Sequence, residues 1–370
     1  MSAMISTLDV MIDNMKDIYV YGAQATAYGA ACAIAEIFGV DIVAYIVSNL
    51  TGNPSSIDGR SVRRLKDIEN VVIADSMFII AVPEYLHAEI IANLQARGCQ
   101  SYFCLNADSE FALMKEYYKR EKLLSFADDM ERFEHQELSD IEKLEVYAAC
   151  SVNDKKLSNE RNFPAWHHTV QAGSVLDHAL PTEFHDDMGD NISILNRNYA
   201  ELTVTYWAWK NRTAAYKGIA HYRRYLELTD TELHLLLSGA IDAILPLPFC
   251  CYPNTASQYE RYNHPKVIEA MFQAMTEQDA LLAKQAKNIL ADRYLYNYNM
   301  LVAKEKVFDE YCAWMFPILE RVCQLLPNSV KSDSRYNRMC GHLGEILTSL
   351  YFLLNKDKLK IIHAKKVWLT

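Results

Sequence analysis

The sequence predicts an α/β protein built from two units, and three observations carry that prediction. Short apolar runs alternate with stretches of helical spacing in the first third of the chain, a charged helix-forming stretch follows, and the alternation then resumes to the end. Strands and helices alternating at this spacing imply parallel strands with helices on both faces. At 370 residues the chain can bury a core in each of two ordinary domains. The expected boundaries are 14–110 for the first unit, 111–142 for a helical linker and 143–370 for the second.

In the first unit IYVYG (18–22) reads as a strand, ATAYGAACAIAEIFG (25–39) as a helix stopped by glycine, and IVAYIVS (42–48) as a second buried strand. NPSSIDGRSV carries turn chemistry around Pro54 and Gly59. VVIADSMFIIAVP (71–83) holds another strand, EYLHAEIIANLQARG (84–98) reads as a helix and SYFCLN (101–106) as a last strand. The order is that of a Rossmann-like module. Its first turn, Gly22-Ala23-Gln24-Ala25-Thr26-Ala27, has Gln24 where a dinucleotide fingerprint needs a second glycine. The second strand ends in Ser48 and Asn49, with no acid for a ribose hydroxyl. A scaffold or a small-ligand sensor therefore fits better than an NAD-binding domain.

From about Phe111 to Glu142 charged helix formers dominate, as expected of a solvated joint between domains. In the second unit KLEVYAAC (143–150) opens as a strand, and a loop rich in Asn, Pro and aromatics leads to Trp166, His167 and His168. Asn196 or Asn198 can cap a helix running to Lys210, with Leu202, Tyr206 and Trp209 on one face. YKGIA, IDAILPLP and YNMLVA (298–303) read as further strands.

Composition narrows the function. A net charge of -10 argues against a general nucleic-acid binder. Nine cysteines without CxxC pairs read as reduced thiols in a cytoplasmic protein. The opening MSAMISTLDVMIDNMKD lacks the basic and apolar regions of a signal peptide. The most apolar window, 233–251, is broken by Asp242, Pro246 and Pro248 and does not read as a membrane span.

The densest chemistry is GIAHYRRYLEL (218–228), where an apolar strand runs into His221, Tyr222, Arg223, Arg224 and Tyr225. Ligands of open α/β folds gather outside the carboxyl ends of strands, and a guanidinium fork suits paired phosphate oxygens. Along a continuing strand His221 and Arg223 would share a face, with Arg224 opposite. Two adjacent arginines also fit a solvated edge or an interdomain ion-pair site.

The blocks GDNIS, NxNYAELTxxYWAWKN, GIAHYRRYL, DAILP and YNM occur in that order, and between Lys143 and Thr370 the chain resembles a bacterial family of capsular and exopolysaccharide glycosyltransferases. That family was long catalogued as a domain of unknown function, and some members are described as galactofuranosyltransferases. The resemblance implies a nucleotide-sugar-binding GT-A fold for the second unit, a UDP-sugar donor, and a glycan or lipid-linked glycan as acceptor. It also implies a cytoplasmic enzyme with peripheral contact at the inner membrane face.

Such enzymes usually hold a divalent cation through Asp-x-Asp at the end of a central strand. Here the comparable strand ends in His221-Tyr222-Arg223, so Arg223 and Arg224 are expected to neutralise the diphosphate without a cofactor. A Mn or Mg ion held by His221 and Asp190 is the alternative. Asp190 and Asn191 open a family block and join the expected donor site. Asn299, Glu201 and Trp207 are candidates for the acceptor side, although Trp207 and Trp209 on a helix also read as core. RYNRMCGHLGEI resembles the block R-x-x-G-x-x-x-E-R, placing Arg338, Gly341 and Glu345 and substituting Ile346 for its last arginine. Glu345 and His342 are the candidates for a catalytic base. The rival expectations are a non-catalytic sugar- or nucleotide-binding protein, and a bifunctional enzyme whose first unit senses the donor.

Overall fold

A computed structural model describes residues 3–130, 140–155, 157, 163–177 and 180–369. It divides into two compact units, one formed by 1–124 with 249–253 and the other by the remainder.

The first unit opens with α1 (Ala3–Asp13), β1 (Asp17–Tyr21), α2 (Ala25–Phe38) and β2 (Ala44–Val47). A short ribbon of β3 (Ser56–Ile57) and β4 (Arg60–Arg64) follows, then α3 (Asn70–Ala74), β5 (Ser76–Ile80), α4 (His87–Gln95), β6 (Ser101–Cys104) and α5 (Ala107–Arg120). Among the described residues the sheet order is β3-β4-β2-β1-β5-β6, parallel from β4 to β6. Sequential strands run outward to either side of β1, so the order reverses between β1 and β5. Side chains two apart share a face: Tyr19, Tyr21, Ala44, Ile46, Phe78 and Ile80 pack with Ile90 and Leu94 of α4 into one core. Gly22 lets β1 turn there. Its φ is +131°, and a Cβ at this position would stand 2.6 Å from the Ala81 carbonyl oxygen.

The strand held by 71–83 is β5, which α3 precedes over 70–74. Two other expectations for this unit change. The segment expected as turns contains β3 and β4, with Asp58 and Gly59 at positive φ closing a two-residue hairpin turn between them. The charged joint is, up to Arg120, the rest of α5, whose Leu113, Met114, Tyr117 and Tyr118 are buried beneath its charged face. An Asn106–Ser109 capping box starts that helix. The remainder of the expected joint has no long helix among its described residues, and 131–139 lie outside them.

The second unit begins with β7 (Leu144–Cys150), β8 (His167–Gln171), β9 (Phe184–His185), α6 (Asn196–Tyr199), α7 (Leu202–Asn211), β10 (Tyr216–His221), β11 (Arg224–Glu227), α8 (Asp230–Leu237) and β12 (Ala243–Pro246). After β13 (Phe249–Cys250), which belongs to the first unit, come α9 (Thr255–Glu260), α10 (Lys266–Gln278), α11 (Ala280–Leu290), β14 (Tyr294–Leu295) and β15 (Leu301–Lys304). The chain ends through α12 (Glu305–Leu325), α13 (Asn328–Lys331), α14 (Met339–Leu354) and β16 (Ile361–Trp368).

The mixed sheet of this unit has, among the described residues, the order β11-β16-β12-β15-β10-β7-β8-β9, with β10, β7, β8 and β9 parallel. Leu144, Val146, Ala148, Ala220, Val302 and Ile362 form one apolar face against Leu233 and Leu236 of α8. On β10 Lys217 is buried and pairs with Glu305 at 3.2 Å and Asp309 at 3.1 Å on α12. Two carboxylates compensate a cation that could not otherwise leave water. The helix expected from Asn196 to Lys210 is broken at Ala200 (φ +50°, ψ −130°), where the Asn196 amide and the Thr203 hydroxyl both donate to the Ala200 carbonyl. No helix among the described residues is long and apolar enough to cross a membrane.

Candidate functional site

The HYRRY stretch is a tight reversal at the carboxyl end of β10. β10 stops at His221, Tyr222 and Arg223 make the turn, and Arg224 starts β11 directly opposite His221. The Tyr222 N–H donates to the Ala149 carbonyl at the end of β7, and the Leu369 N–H donates to the Arg223 carbonyl. The expectation that His221 and Arg223 share a face is therefore corrected. The strand ends first, and cross-strand pairing puts His221 beside Arg224.

β16 lies along β11 and brings Trp368 opposite Arg224. The Arg224 guanidinium sits 4.0 Å from the centre of the Trp368 ring and 4.2 Å from that of Tyr298, two rings meeting edge to face. Stacking of this kind holds a guanidinium in place without using its N–H donors. Arg223 donates from Nη2 to the Lys155 carbonyl at 3.1 Å and stacks at 5.0 Å on Tyr222. The Nε atoms of both arginines are buried and make no hydrogen bond among the described residues. Burial lowers the pKa of Arg224, partly offset by Tyr298, Glu201 and Glu345, and a guanidinium stays charged regardless.

Three carboxyls surround these cations. Glu201, at the start of α7, accepts from the Asn299 amide at 2.8 Å and pairs with the Arg338 Nη2 at 3.5 Å. Burial raises its pKa, but His221, Arg338 and the Asn299 bond outweigh burial and keep Glu201 ionised below the ordinary range. Glu345 on α14 accepts from the Tyr298 N–H at 2.9 Å, and burial followed by repulsion from Glu201 pushes it up to about 8. Asp154, accepting from the Ser151 N–H, is raised by burial while Arg223, Arg338 and Arg224 pull the other way. Two nearby carboxyls thus have opposite protonation states at neutral pH, the pattern that separates acid from base in active sites.

Tyr298 and Asn299 organise this cluster from unusual backbone. Both have positive φ, +76° and +50°, and sit just before β15 rather than within a strand as expected. His221 Nε2 donates to the Tyr298 carbonyl at 2.5 Å. Asn299 is fully buried, and its amide also donates to the Gly341 carbonyl at 2.9 Å, so it ties Glu201 to α14. Its oxygen stands where α14 comes closest: a Cβ on Gly344 would lie 2.9 Å from Asn299 Oδ1 and 2.7 Å from a Leu202 methyl. His342 projects from the same helix with Nδ1 3.0 Å from Asn263 Oδ1, and burial and Arg338 hold its pKa down.

Not every expected site residue joins them. Asp190 accepts from the Tyr206 hydroxyl, and its backbone exchanges hydrogen bonds with Asn211, so it belongs to the far end of α7. Ten helical residues separate that end from Glu201 by about 15 Å. Asn191 bonds the Asp187 and Gly189 carbonyls and the Ser193 N–H, holding its own loop together. Trp207 is buried against Tyr147 and Phe184. The alternative metal pair is not brought together: Asp190 is held at the far end of α7, and His221 spends Nε2 on a carbonyl, which leaves Nδ1 alone to ligate. Among the described residues no three His, Cys, Asp or Glu side chains are grouped to hold a metal ion.

Tyr298, Trp368 and Asp154 join the cluster without a sequence signal of their own. Nothing local marks Trp368, which arrives by strand pairing across more than a hundred residues, and Asp154 lies in a loop legible only by its composition.

No curated protein sequence matches the chain. The apo structure of the bifunctional glycosyltransferase WbbM matches with a TM-score of 0.54 and 24% identity, over 61% of this chain and 45% of that one. The chain thus spans less than half of that protein's length, and the likeness is one of fold. Residues 155–356, more than half of the chain and including every residue of the cluster except Asp154 and Trp368, match the family described as Domain of unknown function (DUF4422). The chain belongs to that family.

Proposed function

We propose that the second unit is a glycosyltransferase that moves a sugar from a nucleoside-diphosphate sugar to a hydroxyl of a growing surface glycan. The observation that carries the reading is the pair of half-buried arginines at the carboxyl end of β10, whose Nε donors are buried and unpartnered among the described residues. A buried guanidinium N–H without an acceptor is costly, and a diphosphate supplies acceptors of the right charge. The fold likeness to a glycosyltransferase and the resemblance of the sequence blocks support the same reading.

In this mechanism Arg223 and Arg224 take the diphosphate and stabilise the charge that develops on it as the glycosidic bond breaks. Arg338, mostly exposed and anchored by Glu201, adds a third cation. No step needs a metal ion. Glu345 in its ionised form removes the proton of the acceptor hydroxyl, and the neutral imidazole of His342 is the second candidate for that role. Glu201 and Asn299 act by positioning, since each is buried and bonded within the protein. Trp207 packs behind them, and Asp190 and Asn191 shape the loop that precedes α6. A UDP-linked galactose or galactofuranose is the first donor to test, with a lipid-linked glycan at the inner membrane face as acceptor. The first unit then serves as a scaffold.

Ligand-observed NMR against UDP-sugars, free UDP and NAD, with and without EDTA, tests this reading. Binding of a UDP-sugar that survives chelation is expected. Binding abolished by EDTA would overturn the metal-free mechanism, and no nucleotide binding would overturn the donor assignment. A protein that binds the sugar nucleotide yet never releases UDP in the presence of any acceptor would be the non-catalytic rival, in which protonated Glu345 serves as a hydrogen-bond donor.

A further inference from the structure

Cys323 lies in the last turn of α12 and Cys340 in the first turn of α14, and their sulfurs are 3.4 Å apart across a segment of 17 residues. They face each other through a shared clamp, with the Asn198 amide 3.7 Å from Cys323 Sγ and its oxygen accepting from the Cys340 N–H at 3.1 Å. Cys340 is fully buried and Cys323 is partly exposed. We propose that Cys323 and Cys340 are an oxidisable thiol pair that a hydroperoxide closes to a disulfide, stapling the end of α12 to the start of α14.

The two sulfurs fall into the roles such a reaction needs. Cys323 is reachable from solvent and is held as a thiolate more readily than an ordinary cysteine. The hydrogen bond from Cys340 lowers its pKa to about 7 against the effect of burial, helped by bonds from Tyr336 and Tyr199 and by Lys331. Cys99, Cys104 and Cys150 are all shifted the other way by burial. Thiolate character and access together decide which cysteine a peroxide oxidises first.

The Cys323 thiolate attacks one peroxide oxygen, the O–O bond breaks, and Cys323 becomes a sulfenic acid as hydroxide leaves. Cys340 gives its proton to that hydroxide, and its sulfur attacks Cys323, forming the S–S bond and expelling a second hydroxide, which takes up the proton that Cys323 released to solvent on ionising. Overall two thiols are oxidised by two electrons, one peroxide is reduced, and two waters form. The sulfurs close from 3.4 Å to about 2.0 Å. The staple fixes the turn carrying Arg338, two residues before Cys340, so oxidation bears on the cluster described above. The inference itself does not depend on what that cluster binds.

The test treats the full chain with a small excess of hydrogen peroxide, denatures it in an alkylating agent, and counts thiols and maps tryptic peptides by mass spectrometry. The expected count falls from nine to seven, with Cys323 and Cys340 peptides cross-linked, and dithiothreitol restores nine. The C340S variant, whose Cys323 has no partner, should instead accumulate a sulfenic acid trapped by dimedone. C323S should keep all eight of its thiols under the same dose. A wild-type count that stays at nine, a cross-link between other cysteines, or Cys323 driven to sulfinic acid while Cys340 stays free would overturn the proposal.

Discussion

The two units end their central strands in opposite chemistry. In the first, β1 runs into Gly22 and Gln24, the Tyr21 hydroxyl bonds Ser48 at 2.9 Å, and the Gln24 amide donates to Asn53 at 3.0 Å. Arg64, at the end of β4, is bound by Asp67 at 2.7 Å. The side chains at the ends of β1 and β2 are neutral and bonded to one another. In the second unit the end of β10 gathers Arg223, Arg224 and Arg338 against carboxyls of split protonation, with guanidinium donors left over. Parallel central strands are common to both. What separates the two is whether charge at the strand ends is already satisfied.

The comparison breaks most sharply at the arginines. The double variant R223A/R224A is expected to lose nucleotide-sugar binding by a factor of a thousand or so, since each charge-assisted contact is worth about 1.5–3 kcal/mol. Titration calorimetry on a folded variant checks this, and retained binding would move the nucleotide to the first unit.

Glu345→Gln comes next. Transfer should fall by roughly 10²–10⁴-fold. In the wild type the rate should climb between pH 7 and 9 as Glu345 ionises around its pKa of about 8, and in the variant that rise should vanish. Stability supplies an independent check. Between the ordinary carboxyl value of 4.5 and about 8 the folded state keeps a proton that the unfolded chain has lost, so the wild type weakens as pH rises through that window. E345Q escapes this, and its Tm should match the wild type near pH 4 and exceed it by a few °C at pH 9. An unchanged gap across that range would mean that Glu345 titrates normally.

The smallest effect belongs to the first unit. Gln24→Ala should alter UDP-sugar affinity by no more than about twofold, as expected of an exposed residue outside the site. A larger loss would show that the neutral turn takes part in binding.

Periodicity made most strands and helices legible, and position after a strand made HYRRY legible as a site. The arrangement inside the site was not. Whether Arg223 or Arg224 joins His221 depends on where β10 stops, and alternation along a strand is silent about its end. Asn299 sits in a sequence that reads as continuous strand, yet its left-handed backbone turns the amide onto Glu201 and α14. Asp190 headed a recognisable block, but which end of α7 that block meets is set by Asn211 and Tyr206. The protonation of Glu345 arises from burial and from Glu201, 144 residues away in the chain, and no local pattern encodes it.

The bond from His221 to the Tyr298 carbonyl fixes more than a ring orientation. A carbonyl oxygen can only accept, so the hydrogen of the imidazole resides on Nε2. Burial, with Arg224 and Arg338, lowers the pKa of the imidazole against the pull of Glu201. In its neutral form the ring is a single tautomer whose Nδ1 carries a bare lone pair. Such a lone pair accepts a hydrogen from a hydroxyl and repels an anion. Beside the Arg224 cation, which favours any anion, His221 gives the strand end polarity with direction.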